Sequence, residues 1–111
     1  MKPEALFLVM SYLHRMHKIT YSRSGAKFIR KSKKNSRLLD KLRKINKNLE
    51  VDWKKLGAKK LSGELNYIYS YSFRVRKVDY RVAFSIQGQE IYVWLVETRE
   101  NFYKQLLRKF K

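Results

Sequence analysis

The sequence predicts a small α+β domain, in which a twisted antiparallel sheet packs against two N-terminal helices and a short C-terminal helix. Three observations lead to this prediction. Leucines recur at helical spacing before residue 50, a period of two dominates from Tyr67 onward, and apolar residues return to helical spacing after Thr98. The chain of 111 residues is long enough for one such domain and too short for two.

Residues 1–15 differ from the rest of the chain, because they carry a short apolar run from Ala5 to Met10. The run is too short to span a membrane, and no small-residue cleavage site follows it as in a signal peptide. Met16 begins a segment that resembles a natural protein start. We therefore expect residues 1–15 to be an extension, from a misassigned start codon or as a short extra helix. Residues 16–111 are expected to form the single domain, in the cytoplasm.

The first elements of this domain are predicted to be a strand and two helices. His17 to Ser22 is rich in β-branched and aromatic residues, which is typical of a short strand. Ser22, Ser24 and Gly25 are residue types that end strands, so the strand is expected to stop there. Ala26 to Ser32 predicts a short helix, and a clearer helix follows Asn35 and Ser36, either of which can cap it. The apolar stripe of the second helix consists of Leu38, Leu42, Ile45 and Leu49.

The second half of the domain is predicted to be a three-stranded meander and a helix. Trp53 to Gly63 contains glycines and lysines that indicate a loop. Alternation from Tyr67 to Val75 and from Tyr80 to Ile86 predicts two strands, and Ile91 to Val96 is apolar on both faces, like a central strand. The last helix has one apolar face, formed by Phe102, Leu106 and Phe110.

The charge of the chain indicates a polyanionic partner. Lys and Arg number 27 against 9 Asp and Glu, so the formal net charge is +18. Self-repulsion strains so small a domain unless nucleic acid or an acidic protein compensates it, although a basic ribosomal or structural protein would have the same composition. Because the chain has no cysteine and only two histidines, His14 and His17, we expect no metal site, no cofactor and no serine–histidine triad.

Two arginines of the predicted hairpin suggest a functional site. If Lys77 and Val78 form its tip, Arg74 lies directly opposite Arg81. Like charges paired across strands destabilise a sheet. Either the two side chains extend apart into solvent, or their guanidinium groups form a pocket that holds a phosphate.

The last helix adds two candidates, because Arg99 and Tyr103 are four residues apart and share one of its faces. Tyr103 can stack on a base, or it can anchor the helix as a half-buried aromatic residue. Glu97 and Glu100 are weaker candidates, which either pair with the arginines or accept protons.

Other basic residues are candidates for binding the RNA backbone. The same residues would also suit an ordinary solvated surface, and the two interpretations do not exclude each other. The candidates are Arg76, Lys77, Lys41, Lys44, Lys54, Lys55, Lys59 and Lys60.

The segments from Leu61 to Tyr103, taken in their order along the chain, resemble the RelE/ParE toxin superfamily. Its members have a Leu-x-Gly-x-Leu stretch, an aromatic-rich strand, Arg-x-Arg, a tight turn and Asp-Tyr-Arg, and they end with an apolar strand, an Arg and a Tyr. The corresponding residues here are Leu61–Leu65, Tyr69–Phe73, Arg74–Arg76, Asp79–Arg81, Ile91–Val96, Arg99 and Tyr103. With the N-terminal strand and helices, the resemblance covers Met16 to about Leu107.

The resemblance implies a toxin of a type II toxin–antitoxin system, held by a cognate antitoxin in a hetero-oligomeric complex. RelE-like members cut mRNA on the ribosome without a metal, by attack of the ribose 2′-hydroxyl on its own phosphate. By this resemblance, Arg74, Arg81 and Arg99 would carry the phosphate charge, and Tyr103 would orient or deprotonate the hydroxyl. Such in-line attack needs positioning and stabilisation of negative charge, both of which arginine can supply.

The chain departs from the family pattern at three positions, and two other functions stay open. Ser72 replaces a basic residue of some members, Thr98 replaces the Lys or His of many, and Val78 stands where the hairpin turn usually has Gly. A ParE-like toxin shares the fold but inhibits DNA gyrase by binding, and its members generally lack the C-terminal tyrosine, so Tyr103 favours the RelE-like activity. The third possibility is a basic RNA- or ribosome-binding protein without catalysis.

Overall fold

A five-stranded sheet runs through the computed structural model, which describes residues 16–110. The strands are β1 (Lys18–Tyr21), β2 (Lys59–Lys60), β3 (Ile68–Val75), β4 (Val78–Gln87) and β5 (Glu90–Thr98). The helices are α1 (Arg23–Lys31), α2 (Ser36–Asp52) and α3 (Arg99–Lys109). The expectations for residues 1–15, including the apolar run from Ala5 to Met10, lie outside the described residues.

The predicted α+β class and the order of its main elements are confirmed. The strand order is β1-β5-β4-β3-β2, with β3, β4 and β5 as an antiparallel meander. The sheet is mixed rather than wholly antiparallel, because β1 pairs in parallel with β5. The segment predicted as a loop contains β2, whose two lysines pair with Tyr69 and Ser70 of β3.

Side-chain caps define where α1 and α2 begin. α1 begins at Arg23, three residues earlier than predicted, because the buried Ser22 hydroxyl accepts a hydrogen bond of 3.1 Å from the Gly25 amide. Ser22 and Gly25, which predicted the end of the strand, here form the start of a helix. α2 is capped by Asn35, whose side chain accepts from the Leu38 amide at 3.2 Å.

Helices α1 and α2 cover one face of the sheet. The predicted apolar stripe of α2 is buried, and it packs against alternate residues of the meander. Burial of each such side chain contributes about 1.5–3 kcal/mol. The principal sheet residues on this face are Phe73, Tyr80, Val82 and Phe84.

Helix α3 covers only part of the opposite face. Phe102 and Leu106 pack there against Ile68, Ala83 and Leu95. The pairing of β4 with β5 shifts by one residue at a β-bulge beside Ala83. Nearer the β3–β4 hairpin this face carries small and charged side chains instead of a core.

The β3–β4 turn lies one residue earlier than predicted. Arg76 and Lys77 form the turn, and Val75 pairs with Val78. The φ of Arg76 is +56°, and a positive φ at the first of two turn residues is the pattern of a type II′ turn. Val78 therefore begins β4, and the prediction that it belongs to the tip of the hairpin is wrong.

The pairing of the hairpin changes accordingly. Arg74 lies opposite Asp79, and Arg81 lies opposite Ser72, so the prediction that the two arginines face each other directly is wrong. Both arginines still lie on one face of the sheet, because the pairing is displaced by two residues and the period of a strand is two. The Arg74 Nε atom is 3.7 Å from an Asp79 carboxylate oxygen, so an ion pair replaces the expected repulsion.

Candidate active site

A cleft beside the hairpin is lined by all three predicted arginines, Arg74, Arg81 and Arg99, and has a volume of about 350 Å³. Arg74 and Arg81 project from neighbouring strands on the face that α3 leaves open. Arg99 is the first residue of α3 and follows β5 directly. Arg74 and Arg99 are exposed, whereas Arg81 is half-buried.

Arg81 has the best-defined position of the three arginines. Its Nη1 atom donates a hydrogen bond of 2.8 Å to the Tyr103 hydroxyl. Its Cζ atom lies 5.3 Å from the centre of the Tyr103 ring and 5.9 Å from that of Phe102, within the range of cation–π attraction. The buried Nε atom has no hydrogen-bond partner among residues 16–110. The guanidinium group is therefore held by α3 rather than by a carboxylate.

Tyr103 is presented to solvent by its buried neighbours on α3. The side chain of Tyr103 is 51% exposed, while Phe102 and Leu106 are 0% and 1% exposed. Phe102 and Leu106 thus anchor the helix, and Tyr103 retains an exposed ring and hydroxyl. Arg99 and Tyr103 lie on the same helix at the predicted spacing of four residues.

The acidic candidates do not neutralise the cleft. Glu97 lies opposite Arg81 in the β4–β5 register, but its carboxylate accepts a hydrogen bond of 3.1 Å from the Thr98 amide at the start of α3. Within the described part of the chain, no ion pair joins Glu97 or Glu100 to an arginine. Of the three arginines, only Arg74 forms an ion pair with a carboxylate in this range.

A larger groove of about 720 Å³ adjoins the cleft, and Arg81 lines both. Tyr103 and the 55%-exposed Leu107 line the groove from α3, and Ser70 and Ser72 line it from β3. This groove was not predicted from the sequence. The alternating serines of β3 were a usable signal, because small polar residues on one strand face leave the sheet uncovered, whereas no sequence pattern marked Leu107.

Four of the predicted RNA-binding residues lie near these cavities. Lys59 and Lys60 of β2 line the groove. Lys77 lines another cleft, of about 580 Å³, together with Arg99, and Arg76 is exposed in the adjoining turn. These four cations therefore lie at or beside the cavities that Arg81 and Arg99 line.

The other four predicted RNA-binding residues lie elsewhere. Lys41 and Lys44 belong to α2, on the opposite side of the sheet from the groove. Lys54 and Lys55 are exposed in the 3₁₀ turn after α2, and Lys55 is 3.9 Å from an Asp52 carboxylate oxygen. The structure thus divides the predicted basic residues between two surfaces.

Two titratable groups with shifted pKa values lie outside this site. Tyr21 of β1 donates a hydrogen bond to the Asn46 side chain, and Asn46 donates one of 3.0 Å to Glu50. Burial, and secondarily the Glu50 charge, raises the pKa of Tyr21 to about 12. Burial lowers the pKa of Lys109, whose Nζ atom is 3.4 Å from the Ser22 hydroxyl.

The positive charge of the cleft comes from its arginines. In residues 16–110, His, Asp and Glu side chains form no group of three that could hold a metal ion. None of the helices in that range combines the length and the apolar character that a membrane crossing requires.

A comparison against protein families identifies the family of the chain. A family model described as the ParE-like toxin of type II bacterial toxin–antitoxin systems matches residues 19–107. No curated protein and no solved structure matches the chain. The matched span includes every element that forms the cleft and the groove, and it confirms the resemblance to the RelE/ParE superfamily. A toxin of this type has a cognate antitoxin as its protein partner. The chain therefore belongs to the ParE-like toxins of type II toxin–antitoxin systems.

Proposed function

We propose that this toxin is an endoribonuclease that cleaves mRNA where Arg81 joins the cleft to the groove. The observation that carries the proposal is the 2.8 Å hydrogen bond between Arg81 Nη1 and the Tyr103 hydroxyl, beside two further arginines, Arg74 and Arg99, that line the same cleft. In the proposed reaction, the ribose 2′-oxygen attacks the adjacent phosphorus and the bond to the 5′-oxygen breaks. The products are a 2′,3′-cyclic phosphate and a 5′-hydroxyl.

The arginines provide the charge that this reaction requires. The phosphate gains negative charge on its non-bridging oxygens in the transition state, and preformed guanidinium donors stabilise that charge. Arg81 and Arg99 are suited to this role, because neither has a carboxylate partner in the described residues. Arg74 joins them if its exposed ion pair with Asp79 opens, which costs little at a solvated surface.

Tyr103 is suited to position the reacting oxygens. Because its hydroxyl accepts a hydrogen bond from Arg81, its own O–H remains a donor. That donor can orient the 2′-hydroxyl or protonate the departing 5′-oxygen, and a deprotonated Tyr103 would accept the proton of the 2′-hydroxyl. The exposed ring can also stack on a base. We propose the translating ribosome as the place of cleavage, since a chain of net charge +18 is suited to large RNA surfaces.

Replacing Arg81 by Ala tests the proposal directly. The cleavage rate should fall roughly 10²–10³-fold, as when one donor to a developing oxyanion is removed. Stability should fall by only about 0.5–1 kcal/mol, because the lost cation–π contacts are near the surface. Cleavage is measured by primer extension of mRNA on translating ribosomes, beside a thermal melt of the same variant. Arg108→Ala is the matched control, because Arg108 is an exposed arginine of α3 that lines neither the cleft nor the groove. A folded Arg81→Ala variant with wild-type cleavage rules the proposed site out.

Inhibition of DNA gyrase is the second candidate function. The family description names ParE, and the exposed Leu107 and Tyr103 offer apolar contacts of the kind that anchor protein interfaces. Incorporation of labelled amino acids and labelled thymidine after expression of the chain separates the two functions. The RNase proposal expects translation to stop first, whereas gyrase inhibition stops DNA synthesis first. Binding to ribosomes with neither effect identifies a non-catalytic RNA-binding protein.

A further inference from the structure

We propose that the outer surface of α1 and α2 is a second RNA-binding surface, which holds the phosphate backbone of double-stranded RNA independently of sequence. This surface, called the basic face, consists of the exposed side chains of residues 23–47. The choice of RNA as ligand rests on the proposed function, whereas the charge and shape of the surface do not.

The basic face concentrates positive charge almost without compensation. Residues 23–47 contain eleven basic residues and one acidic residue, Asp40. Every one of these basic side chains is exposed except Lys41, which is half-buried. Asp40 lies 3.8 Å from Arg43, and no other ion pair among residues 16–110 reaches this surface. Like charges one helical turn apart destabilise a helix by about 0.2–0.5 kcal/mol per pair, so a polyanion would relieve this repulsion.

The cations of the basic face are arranged in stripes. Arg23, Lys27 and Arg30 recur at i, i+4 and i+7 on α1, so they lie along one side of that helix. The same spacing recurs on α2, with Arg37, Lys41 and Lys44. Each stripe extends about 10 Å along its helix axis. A line of cations of this length can contact successive phosphates of one strand.

The sheet separates the basic face from the groove. α1 and α2 pack on one side of the sheet through Phe28, Leu42 and their neighbours, whereas Arg81 and Tyr103 lie on the other side, with α3. A short RNA segment bound at Arg81 therefore leaves the basic face open for a different segment. The protein can hold structured RNA with one side and a single strand with the other.

The composition of the basic face favours duplex RNA over other anions. The large apolar side chains exposed in residues 16–110 are Tyr67, Val78, Tyr103 and Leu107, and none belongs to α1 or α2. Protein interfaces use aromatic and aliphatic anchors, and single-stranded RNA is bound by stacking on aromatic rings. The basic face offers cations without exposed aromatic or large aliphatic anchors, which suits a continuous backbone whose bases are already paired. The ribose 2′-hydroxyls in the shallow groove of an RNA duplex give lysine and arginine further acceptors that DNA lacks.

The triple variant Arg37→Gln, Lys41→Gln, Lys44→Gln tests this inference. Gln retains the helix propensity and much of the side-chain length. Both this variant and its parent carry Arg81→Ala, which protects the RNA from cleavage at the proposed site. Binding to a fluorescein-labelled RNA duplex of about 20 base pairs is measured by anisotropy over a range of salt concentrations. The triple variant should bind at least roughly tenfold more weakly, and its logarithmic salt dependence should be smaller by about three.

A matched control removes three charges from other surfaces. Lys18, Lys104 and Arg108 are exposed on β1 and α3, outside both the basic face and the cavities. The variant Lys18→Gln, Lys104→Gln, Arg108→Gln has the same net charge as the test variant but keeps the basic face intact. Its affinity for the RNA duplex should therefore fall by no more than about threefold. Equal losses in both variants would mean that total charge, rather than the basic face, determines binding, and the inference would be wrong.

Two competitors decide which anion the surface fits. A DNA duplex of the same sequence should compete several-fold less well than the RNA duplex. Polyglutamate at the same charge concentration should compete poorly, because it lacks the regular backbone of a duplex. Competition by DNA equal to that by RNA overturns the choice of RNA, and competition by polyglutamate equal to that by RNA favours an acidic protein.

The outcome is independent of the proposed cleavage. Duplex binding in the Arg81→Ala background tests the basic face even if the chain cuts no RNA. Conversely, the effect of Arg81→Ala on cleavage tests the groove even if the basic-face variant binds like its parent.

Discussion

The two faces of the sheet are built from the same strands but differ in how they are covered. On the α1–α2 face, Phe73, Tyr80 and Phe84 are buried under two helices. On the α3 face, one helix covers part of the surface, and Ser72 and Arg81 lie in the part that remains open. Because side chains alternate between faces, β3 and β4 supply the core with one set of residues and the candidate site with the other.

Because the two faces are covered differently, stability and activity can be changed separately. The covered face carries the larger aromatic and aliphatic cluster, so its substitutions should act on unfolding. The open face depends on how α3 is seated, so its substitutions should act on the candidate site as well. Substitutions on the two faces test that separation.

The largest effect is expected from two matched leucine substitutions, Leu42→Ala on the covered face and Leu106→Ala under α3. Both side chains are buried, at 7% and 1% exposure, and each truncation should destabilise the protein by about 2–5 kcal/mol. Only Leu106→Ala should also lower cleavage at a temperature where both variants are folded, because Leu106 seats the helix that carries Tyr103. Thermal melts and the ribosome cleavage assay measure the two quantities. Equal cleavage losses in the two variants would show that the covered face affects the candidate site as much as the α3 face does.

A smaller, pH-dependent effect is expected from Tyr21→Phe on the covered side. The pKa of Tyr21 is raised to about 12, above its ordinary value of 10.0, because of burial and then the Glu50 charge. The folded state therefore retains this proton while the unfolded state loses it. The resulting stability is present below pH 10 and is lost as the pH rises toward 12.

Across that interval, the free energy of unfolding of the wild type should fall by about 2 kcal/mol more than that of Tyr21→Phe. Urea unfolding at a series of pH values measures the difference, and the titration of lysines is common to both proteins. Parallel curves for the two proteins would show that the pKa of Tyr21 is the same in the folded and unfolded states, and the prediction would be wrong.

The smallest effect is expected from Arg76→Gly, in the turn that joins β3 to β4. Arg76 has a positive φ, which costs a non-glycine residue about 1–2 kcal/mol. Glycine removes most of that strain but adds about 0.5–1 kcal/mol of conformational entropy to the unfolded chain. The variant should therefore be more stable by roughly 0.5 kcal/mol, seen as a slightly higher Tm.

Lys77→Gly is the control for this turn, because Lys77 has no positive φ. It should lower the Tm, since glycine there relieves no strain and only adds entropy to the unfolded chain. A higher Tm for Lys77→Gly than for Arg76→Gly would place the turn at the register that the sequence suggested.

The sequence predicted those features that depend on side-chain periodicity. The leucine stripe of α2, the alternation in β3 and β4, and the position of Arg81 on the polar face follow from periods of 3.6 and two, and the structure confirms them. The hairpin register could not be obtained in this way. Moving the turn by one residue displaces the pairing by two, so the same side chains stay on the same face and the pattern does not change. No glycine marked the turn.

Other features depend on contacts between distant parts of the chain. β1 pairs in parallel with β5, although two helices and three strands separate them along the chain, so the four residues of β1 alone cannot reveal this pairing. The contact between Arg81 and Tyr103 requires α3 to be seated by Phe102 and Leu106. The spacing of Arg99 and Tyr103 predicted a shared helix face, but not which strand residue would contact it.

Helix α3 is held near both of its ends. Tyr103 receives the hydrogen bond from Arg81 in the first half of the helix, and Lys109 approaches Ser22 in its last turn. A helix fixed in this way has few other orientations, so Tyr103 is pre-organised before any ligand arrives. Immobilising a side chain at an interface costs about 0.5–1.5 kcal/mol of conformational entropy, and at Tyr103 most of that loss has already occurred during folding. A ligand that contacts Tyr103 therefore meets a smaller entropic barrier than one that must first order the exposed lysine side chains of β2.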